Sequence, residues 1–415
     1  MTESTTAKAL SSMNIWRSLK GLPADVWTLS VASLINRAGT MVLPFLVLYL
    51  TKELGFSASR AGLVLAVYGA GSIIAAPISG RLSDKLGPLP VMRVALVLTG
   101  VLVLLYPVVT SFVGVVVLTL LWAISTDLFR PANLAMIADV VPADRLKAAY
   151  ALSRLAINVG MSVGPAVAGF IATRSFNWIF IVDGATTLAA AAVLIATPFD
   201  NVRHAVTGDG DKRRPSLLSS LVLDDRRMVL FLAAIFLTGV VFFQLEGPLP
   251  LFLVDELRLS PAFYGGLFTL NTVMIVFMEV PLNSATAHWP HRRGLAIGAF
   301  LFAVGSGAFA FAGGAIGVVV AMIIWTFGEM MLFPQAAAYV GEIAPPARRG
   351  AYMGAYSLAF SLSFTVAPWA GTSSYAHFGA KALWIAVFVV GFISAVMMAK
   401  VTAEEPGARA EAMAA

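Results

Sequence analysis

Five of the ionisable side chains inside long apolar stretches of the sequence stand out as candidates for chemistry, because a charge is hardest to accommodate there. They are Arg37, Asp127, Arg130, Glu246 and Glu329. An ionised side chain at the centre of a bilayer costs about 2.5 to 3.5 kcal/mol or more, so each is a candidate for binding a proton or a substrate. Asp127 and Arg130 are three residues apart and share a helix face, where they can neutralise each other or share Arg37. Arg130 is therefore interpreted equally as a structural ion-pair partner or as a coupling residue.

Glu329 is the strongest candidate for a proton carrier. Phe327, Met330 and Phe333 surround it in the sequence, and no cationic residue is close. A carboxylate among apolar groups takes up a proton more readily than one beside an arginine. The alternative is a structural role in which polar neighbours hold the carboxylate.

Glu246 is a second acidic candidate. It precedes Pro248 and Pro250, which should distort their helix and leave carbonyl groups in need of partners. We predict that Glu329 carries the proton with help from Asp127 or Glu246. A plain interhelical hydrogen bond is the expected role of four other polar residues in apolar stretches, Asn158, Asp183, Asn271 and Glu279.

Aromatic and methionine side chains accompany these charges. If the helices that carry these residues surround a central cavity, the residues expected to line it are Arg37, Trp122, Phe129, Arg130, Phe243, Trp325, Met330 and Phe333. Such a lining suits lipophilic molecules through area burial, stacking and cation–π contact, although many of these rings could instead face lipid or other helices. Two arginines and three acids give such a cavity a formal charge of −1, which favours neutral or cationic ligands over anions.

The composition requires a membrane to hold these elements. Hydrophobic residues make up 59% of the chain and charged residues 12%, and the mean hydropathy is +0.86, values typical of an integral membrane protein. Runs of about 20 apolar residues cross the hydrocarbon core. The sequence predicts twelve such helices, at 25–50, 59–80, 91–110, 112–138, 148–172, 178–197, 228–254, 261–284, 293–312, 316–340, 350–375 and 380–401.

The basic residues predict the orientation of these helices. If both termini are cytoplasmic, 20 of the 28 Lys and Arg residues lie on that side, five lie outside and three lie within helices, as the positive-inside rule expects. Cations spread over short loops argue against nucleic-acid binding. The polar segment before Asp25 predicts no removable signal peptide. The absence of cysteine excludes disulfides and thiolate metal sites, and no His/Cys cluster suggests a metal.

The chain is internally duplicated. Equivalent residues recur at an offset of 203, as in Pro131 and Pro334 or Arg145 and Arg348. Two related bundles around a central site are the architecture of a carrier, whereas a duplicated channel or scaffold is the alternative. The predicted organisation is a cytoplasmic N-terminal segment (1–24), a six-helix bundle (25–199), a cytoplasmic linker (200–227), a second six-helix bundle (228–401) and a cytoplasmic tail (402–415).

A charged segment between the second and third predicted helices carries a family resemblance. Residues 80–87 read Gly-Arg-Leu-Ser-Asp-Lys-Leu-Gly, and Arg93 follows. This segment, predicted to be a tight turn, resembles the loop between helices 2 and 3 of the major facilitator superfamily, although Pro88-Leu89-Pro90 stands where the family usually has a basic pair. The resemblance implies an all-α fold of two six-helix bundles with helices 1, 4, 7 and 10 around a cavity. It also implies a cytoplasmic gate, formed here by Gly80, Asp84, Lys85, Gly87, Arg93, Asp139 and Glu342, in which Arg93 is the expected partner of Asp84. The alternative is a solvated turn that only sets topology.

The fifth predicted helix resembles the antiporter motif of the same family. Gly160, Gly164, Pro165 and Gly169 match the motif, and Ala168 and Ala151 depart from it. The segment from Trp325 to Pro334 is similar to helix 10 of bacterial multidrug/proton antiporters. These resemblances imply export rather than uptake, while generic packing of small residues is the alternative.

The resulting hypothesis is a monomeric transporter in the bacterial inner membrane, surrounded by lipid. It exports lipophilic or cationic small molecules in exchange for protons by alternating access and uses the proton motive force rather than a cofactor. The alternative within transporters is proton-coupled uptake of a sugar, a peptide or another nutrient. Outside that class, a non-transporting receptor is the rival, and an enzyme is disfavoured because no nucleophile, base and oxyanion arrangement can be assembled.

Overall fold

The computed structural model describes residues 21–142, 145–199, 224–345 and 348–401. Within these ranges every regular element is a helix, and eleven helices are long and apolar enough to span a bilayer. The last of them, Arg349–Val401, contains Gly379 at φ 78°, where two helices meet at a kink. When its two parts are counted separately, the described residues contain the twelve predicted spans of an all-α membrane protein.

The spans are numbered in chain order. They are α1 (Ala24–Lys52), α2 (Ala58–Leu86), α3 (Pro88–Val108), α4 (Phe112–Val140), α5 (Leu146–Ala172), α6 (Asn177–Ala196), α7 (Arg226–Glu256), α8 (Pro261–Ala285), α9 (His291–Phe311), α10 (Ala315–Ile343), α11 (349–378) and α12 (380–401). Residues 1–20, 200–223 and 402–415 lie outside the described residues, so the division into bundles, linker and tails stays a prediction. We call the membrane face at which α1 begins and α12 ends the terminal face, and the opposite one the far face.

Serine caps start equivalent helices at the far face. Ser57 Oγ accepts a hydrogen bond from the Arg60 N–H at 3.3 Å, and Ser260 Oγ accepts one from the Phe263 N–H at 3.2 Å. The two serines are 203 residues apart and begin α2 and α8. Each cap satisfies a backbone donor that the first helical turn would otherwise leave unpaired.

The charged segment between α2 and α3 is mostly helical. α2 continues through Asp84 to Leu86, and Gly87 alone makes the connection, with φ 82° in the left-handed region that glycine tolerates. α3 begins at once with Pro88, because proline in a first helical turn sacrifices no hydrogen bond. The expectation of a turn over residues 80–87 is therefore wrong, since a helix with polar side chains can extend beyond the bilayer into water.

Both α1 and α7 are interrupted at equivalent depths. Thr40 and Met41 interrupt α1. The equivalent positions, 203 residues later, lie in the interruption of α7 over residues 243–247, which contains a 3₁₀ turn, Phe243–Leu245. Helix resumes at Pro248 and ends in a π-helical turn, Phe252–Glu256. The predicted distortion of helix 7 by its prolines is confirmed.

Buried side chains form three clusters. One contains residues of both halves of the chain, among them Leu46, Trp122 and Phe252, and lies toward the far face. The other two lie toward the terminal face, one built only from the first half and one only from the second. The halves are therefore packed together near the far face and have separate cores near the terminal face.

Contacts between the halves follow this division. α2 packs on α11 and α5 packs on α8. Near the far face, Lys52 at the end of α1 forms an ion pair with Asp255 at the end of α7. Aromatic contacts join Phe45 to Tyr264, with ring centroids 5.2 Å apart. This structure is closed at its far face.

Candidate functional site

Glu329 lies at the middle of α10 and contacts α8. Its Oε2 accepts a hydrogen bond from Asn271 Nδ2 at 2.6 Å, and the same amide group donates to Thr326 Oγ1 at 3.2 Å. Thr326 is one turn before Glu329, so Asn271 bridges two consecutive turns of α10. The hydrogen-bond donor to this carboxylate is thus a neutral amide, which holds it in place without fixing its charge. The expected interhelical hydrogen bond of Asn271 is confirmed.

Glu246 lies in the interruption of α7. In the described part of the chain, its Oε2 is enclosed and has no hydrogen-bond partner. The backbone beside it is tied to α8, because the Tyr264 hydroxyl donates to the Leu245 carbonyl at 2.9 Å. Glu246 therefore combines a fixed backbone with a carboxyl oxygen free to bind a proton or a donor.

Asp127, Arg37 and Arg130 form the charged group of the first half. Asp127 of α4 is hydrogen-bonded to Ser72 of α2 and lies within electrostatic range of both arginines. Arg37 of α1 is partly buried and Arg130 is exposed. Arg37 also lies within electrostatic range of Asp183 in α6, so it faces two acids rather than one.

The aromatic residues predicted for the cavity divide into two sets. Trp122, Phe129, Trp325 and Met330 are at most 5% exposed and pack in the helix cores. Phe243 and Phe333 are partly exposed. Their ring centroids lie 5.0 and 5.4 Å, respectively, from the ring centroid of Phe360. Of the predicted aromatic and methionine residues, the second set therefore keeps part of its surface accessible.

That set belongs to an aromatic row that reaches both halves. Phe243 contacts Phe364 at 4.6 Å, and Phe364 contacts Tyr68 of α2 at 5.8 Å, measured between ring centroids. With Phe360 and Phe333 the row extends from α2 to α10. Neighbouring rings of this kind offer stacking and cation–π surfaces to a planar or cationic guest.

The motif glycines of α5 allow close approach of two other helices. A Cβ on Gly160 would lie 2.7 Å from the Cβ of Arg37, and one on Gly164 would lie 2.9 Å from the Thr40 carbonyl oxygen. A Cβ on Gly169 would lie 2.8 Å from the Pro261 carbonyl oxygen of α8. α5 thus packs closely against α1, at and just before its interruption, at Gly160 and Gly164, and against α8 in the other half of the chain at Gly169.

The profile of one family matches almost the whole chain. This family is the Major Facilitator Superfamily, and its profile matches residues 29–278 and 247–414. The chain belongs to this superfamily. It is therefore a multi-pass membrane transporter and not an enzyme, and transporters of this superfamily need no cofactor.

Three relatives of the transporter are bacterial proteins. The uncharacterized MFS-type transporter YqjV of Bacillus subtilis is 24% identical over 89% of this chain and 90% of its own. The quinolone resistance protein NorA of Staphylococcus aureus is 28% identical over 53% of this chain and 56% of its own. A Na⁺, Li⁺, K⁺/H⁺ antiporter of Planococcus maritimus is 24% identical over 80% and 85%.

Solved structures share the fold of the transporter. The nucleoside transporter NupG has a TM-score of 0.78 at 12% identity, with 92% of this chain and 99% of that one covered. A D-xylose-proton symporter has a TM-score of 0.73 at 18% identity, with 91% and 97% covered. At these identities the likeness shows the fold alone.

The residues of the predicted gate lie near the terminal face, and two of them have partners that the sequence did not suggest. Arg93 Nε donates to the Leu194 carbonyl of α6 at 2.9 Å. Glu342 Oε2 lies 2.8 Å from His291 Nε2 at the start of α9. Asp84 and Lys85 are exposed at the end of α2, and Asp139 is half-buried near the end of α4. The assignment of these residues, with Gly80 and Gly87, to a gate stays a prediction.

Arg145 and Arg348 make equivalent contacts at the terminal face. Arg145 Nη1 donates to the Gly21 carbonyl at 2.7 Å, and Arg348 donates to both carboxylate oxygens of Asp224 at 2.6 and 3.1 Å. Gly21 and Asp224 are again 203 residues apart. The hydrogen bond from Arg348 holds the pKa of Asp224 below its ordinary value. The internal repeat therefore includes these contacts, in which an arginine binds a residue just before the first helix of its own half.

Sequence reasoning missed the partners of Asp183. This side chain of α6 is 6% exposed, and its Oδ2 accepts hydrogen bonds from the Met41 and Val42 N–H groups at 3.0 and 3.1 Å. A hydrogen bond between helices is confirmed, but it goes to backbone groups at the interruption of α1. The only sequence signal was an acid in an apolar run, which does not identify a partner 142 residues away.

Proposed function

We propose that this transporter exports lipophilic or cationic small molecules in exchange for protons. The observation that carries the proposal is the carboxylate of Glu329, which lies at the middle of a membrane-spanning helix and is hydrogen-bonded to the neutral amide of Asn271. A neutral partner can hold either the acid or the carboxylate, so the side chain can gain and lose a proton during the transport cycle. Asp127 and Glu246 are the assisting groups of the proposal.

The proposed orientation places the terminal face in the cytoplasm. Support comes from the excess of Lys and Arg residues on that side. In this orientation the structure corresponds to a state that is sealed outside and loads cargo from inside. Release requires the halves to part at the far face and to close at the terminal face, where Asp84, Arg93, Asp139 and Glu342 would form the gate.

The cargo class follows from the lining of the site. The row that includes Phe243, Phe333 and Phe360 offers aromatic faces, while Glu329 and Glu246 offer negative charge. A lipophilic cation would gain both contacts, and its binding would compete with protonation of the acids. The relatives named for quinolone resistance and for cation/proton antiport support exchange and export here as a proposal.

The proposal includes a monomer in the inner membrane of a bacterium, driven by the proton motive force. Uptake by proton symport is the competing function, since the shared fold of the D-xylose-proton symporter does not distinguish the two directions. Direction must therefore be measured rather than read from the fold.

The test is transport of ethidium by purified protein in liposomes under an imposed pH gradient. Wild type is compared with Glu329→Gln and with the control Glu53→Gln, which changes an exposed acid at the far face. We expect wild type and the control to move ethidium against its gradient toward the acidic compartment. Glu329→Gln should bind ethidium but lose the response to pH.

Two results would contradict the proposal. Full pH-driven transport by Glu329→Gln would remove this residue as the proton carrier. Ethidium movement toward the alkaline compartment in wild type would establish symport instead of exchange.

A further inference from the structure

The interruption of α1 leaves backbone donors in need of partners. When helix resumes at Val42, the N–H groups of its first turn have no carbonyl one turn earlier in a continuous helix. No side chain of α1 caps this start, since Met41 at the cap position makes no capping hydrogen bond. In a bilayer such unsatisfied groups are costly, so a partner must come from another helix.

Asp183 of α6 is that partner. Its Oδ2 accepts from both the Met41 and the Val42 N–H groups, and its Oδ1 lies 3.5 Å from the hydroxyl of Thr187. A carboxylate at the start of a helix is also favoured by the helix dipole. With 6% exposure, Asp183 is enclosed and does not face the cavity itself.

Further contacts hold the residues just before the interruption. Asn36 Nδ2 donates to Thr187 Oγ1 at 3.3 Å. A Cβ on Gly39 would lie 2.7 Å from the Cβ of Thr186, so α6 packs directly on the interrupted backbone. Arg37 is between these two contacts, and its charge is within electrostatic range of Asp183. α6 therefore holds the chain on both sides of a cavity arginine.

The equivalent interruption in α7 is held differently. There a side-chain amide within the interruption itself binds backbone carbonyls, since Gln244 Nε2 donates to the carbonyls of Val240 and of Ala367 in α11. The offset of 203 takes Asp183 to Ala386, which has no polar side chain. The carboxylate clamp is therefore a device of the first half only, the half that contains Arg37 and Arg130.

We infer that Asp183 is a positioning residue of the transport site, which fixes the interruption of α1 and through it the placement of Arg37 beside Asp127. This inference rests on the proposed function for its effect on cargo binding. It concerns Asp183 as a clamp on the backbone and on Arg37, distinct from the proton-carrying acids.

The test uses two substitutions and one matched control. Asp183→Asn keeps the shape and one acceptor oxygen but removes the charge, and Asp183→Ala removes both. The control is Ser394→Ala, because Ser394 is equally buried and bonds to Thr238 at 2.8 Å between α12 and α7, the pair equivalent to α6 and α1.

The first measurement is hydrogen–deuterium exchange of the peptide that contains Met41 and Val42 in the full-length protein. Asp183→Ala should accelerate exchange of these two amides by about tenfold or more, since each loses its acceptor. Asp183→Asn should give a smaller acceleration, and Ser394→Ala none. Unchanged exchange in Asp183→Ala would overturn the inference, and this readout does not depend on any transported substrate.

The second measurement separates positioning from general stability. In liposomes, Asp183→Asn should raise the KM for ethidium by about tenfold with little change in kcat, whereas Ser394→Ala should leave KM unchanged. Arg37→Gln should add less to KM in the Asp183→Asn background than in wild type, because the two residues act together. Additive effects, or an equal change in KM in the control, would overturn it. Absence of ethidium transport in wild type would refute the proposed function alone, since the exchange result stands independently.

Discussion

Gly169 is the point at which one added methyl group should force the two halves apart. A Cβ on this residue would lie 2.8 Å from the Pro261 carbonyl oxygen and 2.9 Å from the Ala262 Cα. Both neighbours are backbone atoms of α8, which cannot rotate away as a side chain would. Overpacking of this kind costs about 1 to 3 kcal/mol. Because the contact joins the two halves of the chain, Gly169→Ala should destabilise the state closed at the far face.

The expected size of the effect follows from that cost. If the clash is relieved when the halves part, about 1 to 3 kcal/mol shifts the equilibrium by about 5- to 150-fold toward the state open at the far face. Replacing glycine by alanine in a helix also contributes about 1 kcal/mol of helix propensity. Gly266→Ala in α8 is the matched control for the gain in helix propensity, because a Cβ there would meet nothing within 4 Å.

The assay exploits the absence of cysteine in the chain. Thr372 of α11 is fully buried and lies against Gly62 of α2 across the contact between the halves. Thr372→Cys therefore places a single thiol where a membrane-impermeant reagent can reach it only when the halves part. When opening is fast, the labelling rate follows the open population.

We expect faster labelling in Gly169→Ala than in Gly266→Ala, by about 5- to 150-fold. Equal labelling rates in the two variants would refute it. Slower labelling in Gly169→Ala would also refute it, because the closed state would then accommodate the methyl group better than the open state does.

Two further predictions concern ion pairs at opposite faces. Lys52→Glu places an acid beside Asp255 and should speed labelling of the thiol introduced by Thr372→Cys, although the half-exposed pair is worth only about 1 kcal/mol. The double variant with exchanged charges, Lys52→Asp with Asp255→Lys, should restore the slow labelling rate. Failure to restore it would contradict an ion-pair role. At the terminal face, the lowered pKa of Asp224 means that its pair with Arg348 stabilises the fold above the ordinary carboxyl pKa and stops doing so as the pH falls through the folded-state value. The difference in unfolding temperature between wild type and Asp224→Asn should accordingly be constant at neutral pH and vanish in acid, and a difference that persists in acid would count against this account.

The sequence by itself determined the architecture of this protein. Apolar runs of bilayer length predict the spans because no other element satisfies its backbone in lipid, and the 203-residue offset reveals the duplication. The cost of burying charge identified Glu329 and Glu246 before any contact was known. Small residues in α5 predicted close helix approach, which Gly160 and Gly169 show.

Tertiary structure decided which groups meet. Asn271 contacts Glu329 and Asp183 contacts the interruption of α1 across separations of 58 and 142 residues, and helical periodicity carries no information about such pairs. It also decided that Trp122 and Trp325 are buried while Phe243 and Phe333 stay partly exposed, because an aromatic residue looks the same in sequence whether it faces lipid, a neighbouring helix or a cavity. The side on which a residue lies follows from how twelve helices pack together, and that packing is a property of the whole chain.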